Sequence, residues 1–362
     1  MRKNLRHIPR KRKRFFPKFV ALLVVAGIVM IGGWRWLSSA MDRPYKHDAA
    51  KKTITIEPGS STSEIISRLY REGILESEIP VKVWVRYFGS GKQLKAGDYE
   101  FKSPISPREV ITKLTQGSVT THQFTIPEGY NQFDIAGVIA NLEGLKEPAK
   151  SPGEVLELLR KAALIEDLDP EARDLEGYLF PDTYDYKATT TREKLVEVMV
   201  KRFRQVYTPE LQERARQLDM KTREAVTLAS LVEKEAKVDS ERELISQVFH
   251  KRLKLGTALA CDPTVIYAAL IEGKYRGKIY RSDLDRNSPY NTYKRAGLPP
   301  GPIASPGRRS LQAALFPADT DYLYFVVDAT RNDGSHKFSA SSADHERAVQ
   351  LLRQQERELK AQ

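Results

Sequence analysis

The chain has 362 residues, of which 41% are hydrophobic and 29% charged, so a packed core is feasible and wholesale disorder is excluded. The formal net charge is +12, but residues 1–18 alone carry nine Lys and Arg and no acid, which leaves +3 on the other 344 residues. The bulk of the chain therefore lacks the electrostatic footprint of a nucleic-acid binder, and the length fits two or three domains.

Phe19 to Trp34 is an uncharged apolar run, and Phe19–Leu37 is long enough to span a bilayer with Lys18 and Arg35 snorkelling and Trp34 and Trp36 at the interface. A cleaved signal peptide ending near Ser38-Ser39-Ala40 is the rival, but the Trp-Arg-Trp cluster sits awkwardly before a cleavage site. The expectation is an uncleaved membrane anchor with residues 1–18 as a cytoplasmic tail and the rest extracytoplasmic. Residues 38–52 read as a polar linker. In residues 53–122, Thr53–Ile56 alternates as a strand, amphipathic helices follow from Ser63 and over Ile79–Phe88, Gly97-Asp98-Tyr99 turns into a second strand, and Pro107–Gln116 is a helix. This strand-helix-helix-strand pattern resembles a LysM-type glycan-binding module; a small α+β domain without that affinity is the alternative.

Residues 123–362 begin with a strand at Gln123–Ile126, a Pro-Glu-Gly turn and another helix, echoing the start of the preceding module. Leu175–Tyr186 is rich in aromatics, which serve a sugar cleft or a packed loop equally well. Two helices fill Lys194–Gln217, parted near Thr208-Pro209. The stretch Arg223–Tyr267 then reads as two helices. Ala225, Leu228, Ala229, Val232 and Ala236 form one apolar face, and Ser240 with Glu243 forms a capping box for the second helix. Taking ~100° per residue, Glu235 lies about 60° from Val232 and Glu233 about 100° from it, so Glu235 is nearer the apolar margin, where desolvation favours a protonated carboxyl. A solvated, charge-laced helix is the competing reading of this stretch. Asn287–Gly307 is a proline-rich loop expected to form a binding wall through Tyr290, Asn291, Thr292 and Tyr293. Ser310–Phe316 is a short helix, Asp321–Asp328 a buried strand with a partner near Lys337-Phe338, and Asp344–Lys360 a terminal helix. Cys261 is the sole cysteine, and the six histidines form no metal-binding cluster, so neither a metal nor an organic cofactor is expected.

The segments LEGYLFPDTY at 175–184, ASLVEKEA at 229–236, DPTVIYA at 262–268, SPYNTY at 288–293, GLPPGPI at 297–303 and DYLYFV at 321–326 resemble, in order and spacing, the endolytic murein transglycosylase family, also called MltG-like or YceG-like. The resemblance covers about residues 50–350. It implies an α+β catalytic domain behind a single inner-membrane helix and a LysM-like region. The implied activity is a lytic transglycosylase that cleaves the β-1,4 bond between N-acetylmuramic acid and N-acetylglucosamine inside nascent peptidoglycan strands, leaving 1,6-anhydromuramyl ends. Peptidoglycan strands and the synthases that make them are the implied partners. The family's catalytic glutamate falls on Glu235, with Glu233, Glu241, Asp262, Tyr267, Tyr290, Asn291, Thr292 and Tyr293 as candidate substrate-binding or orienting residues. Lys251 and Ala260 depart from the family's usual Asn and Gln and bear on fine specificity. The rivals from other classes are a non-catalytic scaffold and an ordinary polysaccharide hydrolase.

Overall fold

The computed structural model describes residues 16–361 apart from 50–52, 58, 90–93, 118–121 and 146. Residues 1–15 of the basic tail and the turn proline at 58 lie outside the described residues, and residues 16–18 already belong to the first helix. The chain forms two compact units, residues 1–121 and 122–362.

The first unit starts with helix α1, Phe16–Asp42, whose window from Val20 onward has a mean hydropathy of 2.0 and is almost wholly uncovered by protein. Then come β1 (Ile54–Ile56), α2 (Thr62–Arg71), α3 (Ile79–Phe88), β2 (Gly97–Tyr99) and α4 (Pro107–Gln116). β1 and β2 pair antiparallel, Ile54 opposite Tyr99. Ser61 with Glu64 and Ser106 with Glu109 close capping boxes that start α2 and α4, each satisfying backbone N–H groups the helix cannot. Ile54, Ile56, Ile66, Leu69, Val81, Tyr99, Phe101 and Leu114 form the core. Helix α1 runs beyond the expected linker boundary, and Met41 is buried in this core. His47 is buried as well, its ring within hydrogen-bonding distance of the Lys102 carbonyl at 3.0 Å. The segment after residue 37 is therefore packed rather than free, because Leu37 and Met41 continue the apolar pattern into the core.

The second unit contains β3 (His122–Thr125), α5 (Gln132–Ala140), α6 (Pro152–Leu159), β4 (Thr183–Tyr186), α7 (Arg192–Val206), α8 (Pro209–Gln217), α9 (Thr222–Glu235), α10 (Arg242–Lys254), α11 (Asp262–Ile271), α12 (Arg281–Leu284), α13 (Arg308–Leu315), β5 (Tyr324–Val327), β6 (His336–Ser339) and α14 (Ser342–Ala361). β3 pairs antiparallel with β4, and β5 with β6, as separate two-stranded ribbons. Helix α9 is the axis. Ala225, Val226, Leu228, Ala229, Leu231 and Val232 are all buried, and the small residues let α13 pack along it through Leu311, Ala314 and Leu315. Gly177, at φ +82°, admits Pro302 so closely that a Cβ would stand 2.5 Å from it, which brings the 175–180 segment against the proline-rich loop.

Two local expectations fail. Ser240 and Glu243 do not cap α10: residues 239–241 form a 3₁₀ turn, and α10 starts at Arg242 without a side-chain cap. Its start is fixed instead by the Arg242 guanidinium, which bonds Asp239 and Ser310. The strand at β5 is only partly buried, because its sheet has one other strand to cover it.

Candidate functional site

Glu235 is the last residue of α9, partly buried where that helix ends against the start of α11. Burial raises its affinity for a proton, and the charge of Asp262 pushes in the same direction. Hydrogen bonding from Cys261 and the nearby His336 and Arg252 partly offset this. Among the described residues, the Cys261 thiol is its hydrogen-bond partner, and burial together with the Glu235 charge holds that thiol far above its ordinary pKa, so it is a donor and not a thiolate. Ala260, before it, has a left-handed backbone (φ +50°), an unusual state for a residue with a Cβ. Its N–H donates to the Thr292 carbonyl at 3.2 Å, and Cys261 N–H donates to Thr292 Oγ1 at 3.0 Å. Thr264 Oγ1 lies 2.9 Å from the same hydroxyl. Thr292 thus holds the turn that presents Cys261 and Asp262 to Glu235. Asp262 is exposed at the first position of α11 and accepts from the Tyr293 hydroxyl at 2.6 Å.

Glu233, two residues earlier, has a different environment. Its Oε2 accepts the Gly307 N–H at 2.9 Å and its Oε1 faces Arg242 at 3.4 Å, with the side chain only 6% exposed. The helical geometry placed Glu233 farther from the apolar face than Glu235; it is buried nonetheless, because α13 covers that flank of α9. Glu128, in the Pro-Glu-Gly turn, lies beside it. A Cβ on Gly307 would collide with the Glu128 carboxylate, and burial plus the Glu233 charge raise the proton affinity of Glu128 against the pull of Arg242 and Arg309.

The other candidate residues divide between the two ends of α11 and the hairpin. Glu241 accepts the His336 N–H at 2.8 Å and faces its Nδ1 at 2.8 Å, so it ties the start of α10 to β6 beside Glu235. Asn291 is 0% exposed. Its Nδ2 donates to the carbonyls of Leu284 (2.9 Å) and Arg286 (2.8 Å), and its Oδ1 accepts the Tyr293 N–H at 3.0 Å. All of its polar capacity is spent on holding the loop, and of Tyr290, Asn291, Thr292 and Tyr293 the exposed side chain is Tyr293, at 41%. Tyr267 is buried one turn into α11, accepting from Gln132 Nε2 at 2.9 Å, with its ring 5.1 Å from that of Tyr290. Both flank Glu176, a fully buried carboxyl that accepts the Gln132 N–H at 2.9 Å and whose pKa is raised to about 8, chiefly by burial. This is a second polar centre, separate from the residues around Glu235. Lys251 is tied to the exposed Asp321 through its side chain (2.8 Å) and carbonyl (2.7 Å).

Sequence reasoning passed over Cys261, Arg252, His336, Glu128 and Glu176. Cys261 borders the DPTVIY segment and Glu176 lies within LEGYLFPDTY, so adjacency to those motifs was a usable signal. Arg252 and His336 reach Glu235 only through tertiary folding.

Residues 54–351 match the model of the YceG-like family. The chain is 34% identical to the endolytic murein transglycosylase of Bacillus subtilis, over 88% of this chain and 90% of that protein. It is 31% identical to the endolytic murein transglycosylase of Streptococcus pneumoniae serotype 2, over 91% of this chain but 64% of that longer protein. A crystal structure of a yceG-like protein from Listeria monocytogenes superposes with a TM-score of 0.55 at 32% identity, covering 82% of this chain and 97% of that one.

Proposed function

From the premise that this chain belongs to the YceG-like family, we propose that it is an endolytic peptidoglycan lytic transglycosylase with Glu235 as its single acid and base. The observation that carries the assignment is the contrast between the two acids of the VEKE segment. Glu233 is committed to Gly307 and Arg242, whereas Glu235 is partly buried, holds its proton more tightly than an ordinary carboxyl, and has only a neutral thiol as its hydrogen-bond partner among the described residues.

A protonated Glu235 donates to the glycosidic oxygen between N-acetylmuramic acid and N-acetylglucosamine as that bond breaks. The resulting carboxylate then takes the proton of the muramyl 6-hydroxyl, whose oxygen closes on C1 to give the 1,6-anhydro ring. The nucleophile belongs to the substrate and is already at high effective concentration, so a second carboxylate to activate water is unnecessary. Arg252 and His336 favour the carboxylate in the second half, and Asp262 favours the acid in the first. The helix α1 is a single-pass anchor with its N-terminus in the cytoplasm, the β1-α2-α3-β2 unit is LysM-like, and cleavage beside the synthases ends the growth of nascent strands.

The test is mass analysis of purified peptidoglycan after incubation with the full-length protein in detergent. Anhydro ends are expected; reducing ends would make it a hydrolase and intact strands a scaffold. Glu235→Gln keeps the shape but cannot donate the proton, so the anhydro product should fall to background. Glu233→Gln should retain measurable turnover with reduced thermal stability. The reverse pattern would move the chemistry to Glu233.

A further inference from the structure

We infer that the outward face of α3 is a second membrane contact, seated in the phospholipid interface beside the point where α1 leaves the bilayer; this rests on the reading of α1 as an anchor. The inner side of α3 belongs to the first unit's core through Val81. Its outer side should be polar in a helix that faces water. Instead Ile79 and Tyr87 are 67% and 69% exposed, and Phe88 is also exposed. Tyr87 and Phe88 border α1. Trp34, Trp84 and Phe88 form an aromatic cluster with ring centroids 5.0 to 5.9 Å apart. Beside it lies an apolar groove of about 690 Å³, lined by Met30, Trp34 and Leu37 of α1 and by Val83, Tyr87 and Phe88 of α3.

The depth of this groove identifies its occupant. Met30 lies seven residues before Leu37, so α3 reaches down α1 to about 10 Å inside the end of the span. That is the depth at which an amphipathic helix rests its apolar face in the headgroup and acyl boundary. The groove is continuous with the bare surface of α1, where Leu22, Leu23, Ile28, Val29 and Ile31 are exposed and would face lipid. Tyr87, Trp34 and Trp36 are the residue types that favour the interface. Arg35 and Arg86 are exposed next to them, where their stems can lie on apolar surface and their charges can meet lipid phosphates. The partner is thus a phospholipid, and the first unit is held on the membrane by two elements, not one.

The experiment uses the full chain in phospholipid nanodiscs at one copy per disc. Spin labels are placed singly on Cys introduced at Tyr87, at Leu22 in the span and at Ser63 on α2. The parent chain is checked to confirm that the buried Cys261 takes no label. Relaxation by oxygen, which partitions into lipid, is compared with relaxation by a water-soluble nickel chelate. The ratio at Tyr87 should resemble that at Leu22 and exceed that at Ser63 several-fold. A lipid-like Leu22 with a water-like Tyr87 overturns the inference and leaves the anchor standing. A water-like Leu22 overturns both. Protection of Tyr87 from both reagents would give the groove to protein, and likewise overturn the lipid assignment.

Discussion

At the residue scale, burial alone does not distinguish an acid from a structural carboxylate; what the buried group bonds to does. Glu176 makes the point without catalysis. Its folded pKa of about 8 lies above its ordinary value of 4.5, so the native state binds more protons than the unfolded chain between those limits. Stability from this group is complete below the unfolded pKa and is lost as pH rises toward 8. The loss is on the order of a few kcal/mol. Glu176→Gln keeps an acceptor for the Gln132 N–H and removes the titration. Denaturant unfolding at pH 5 and pH 8 should show the wild type losing stability across that interval and the variant nearly level. Parallel pH slopes for the two proteins would show that Glu176 ionises normally.

At the element scale, the Asn287–Gly307 loop is built from the inside. Asn291 spends its amide on two carbonyls and one N–H, Ile303 N–H donates to Ser230 Oγ on α9 at 3.1 Å, and Ser305 N–H donates to the Tyr130 carbonyl at 2.7 Å. Asn291→Ala leaves buried carbonyls without donors and should cost about 1–3 kcal/mol. A lowered midpoint of thermal unfolding checks this, and an unchanged midpoint would return Asn291 to the substrate-facing role expected from its motif. The same loop shows where sequence reading stops. α3 and α4 were legible to the residue, because hydrophobic period and the prolines near their starts are local signals. So were the α7–α8 break at Thr208 and the pairing partner of β5. The missing cap at Ser240, the partial exposure of β5 and the burial of Glu233 depend on Arg242, on the number of strands in a sheet and on α13. Each is supplied by a distant part of the chain. In the site, the motif selected Glu235 while its surroundings, Cys261, Arg252 and His336, come from three separate elements that no local pattern links.

At the scale of the whole molecule, the first unit needs no leash, since Leu37 and Met41 belong both to α1 and to its core. With α1 as the proposed membrane anchor, a continuous helix between a bilayer and a folded core would act as a shaft, and what a shaft fixes is phase. Each residue turns the helix by about 100°, so the angular position of Met41 also sets which side of α1 lies against α3 and which is left bare. Inserting one alanine between Ser38 and Ser39 rotates the two ends by about 100° and should unseat either Met41 or the Trp34 cluster. Inserting seven leaves a mismatch of only about 20°, although it adds about 10 Å of rise. If phase matters more than length near Met41, the seven-residue insertion should retain the core's resistance to protease better than the single one. Greater sensitivity of the seven-residue variant would mean that spacing along the helix, not rotation, is what the shaft transmits.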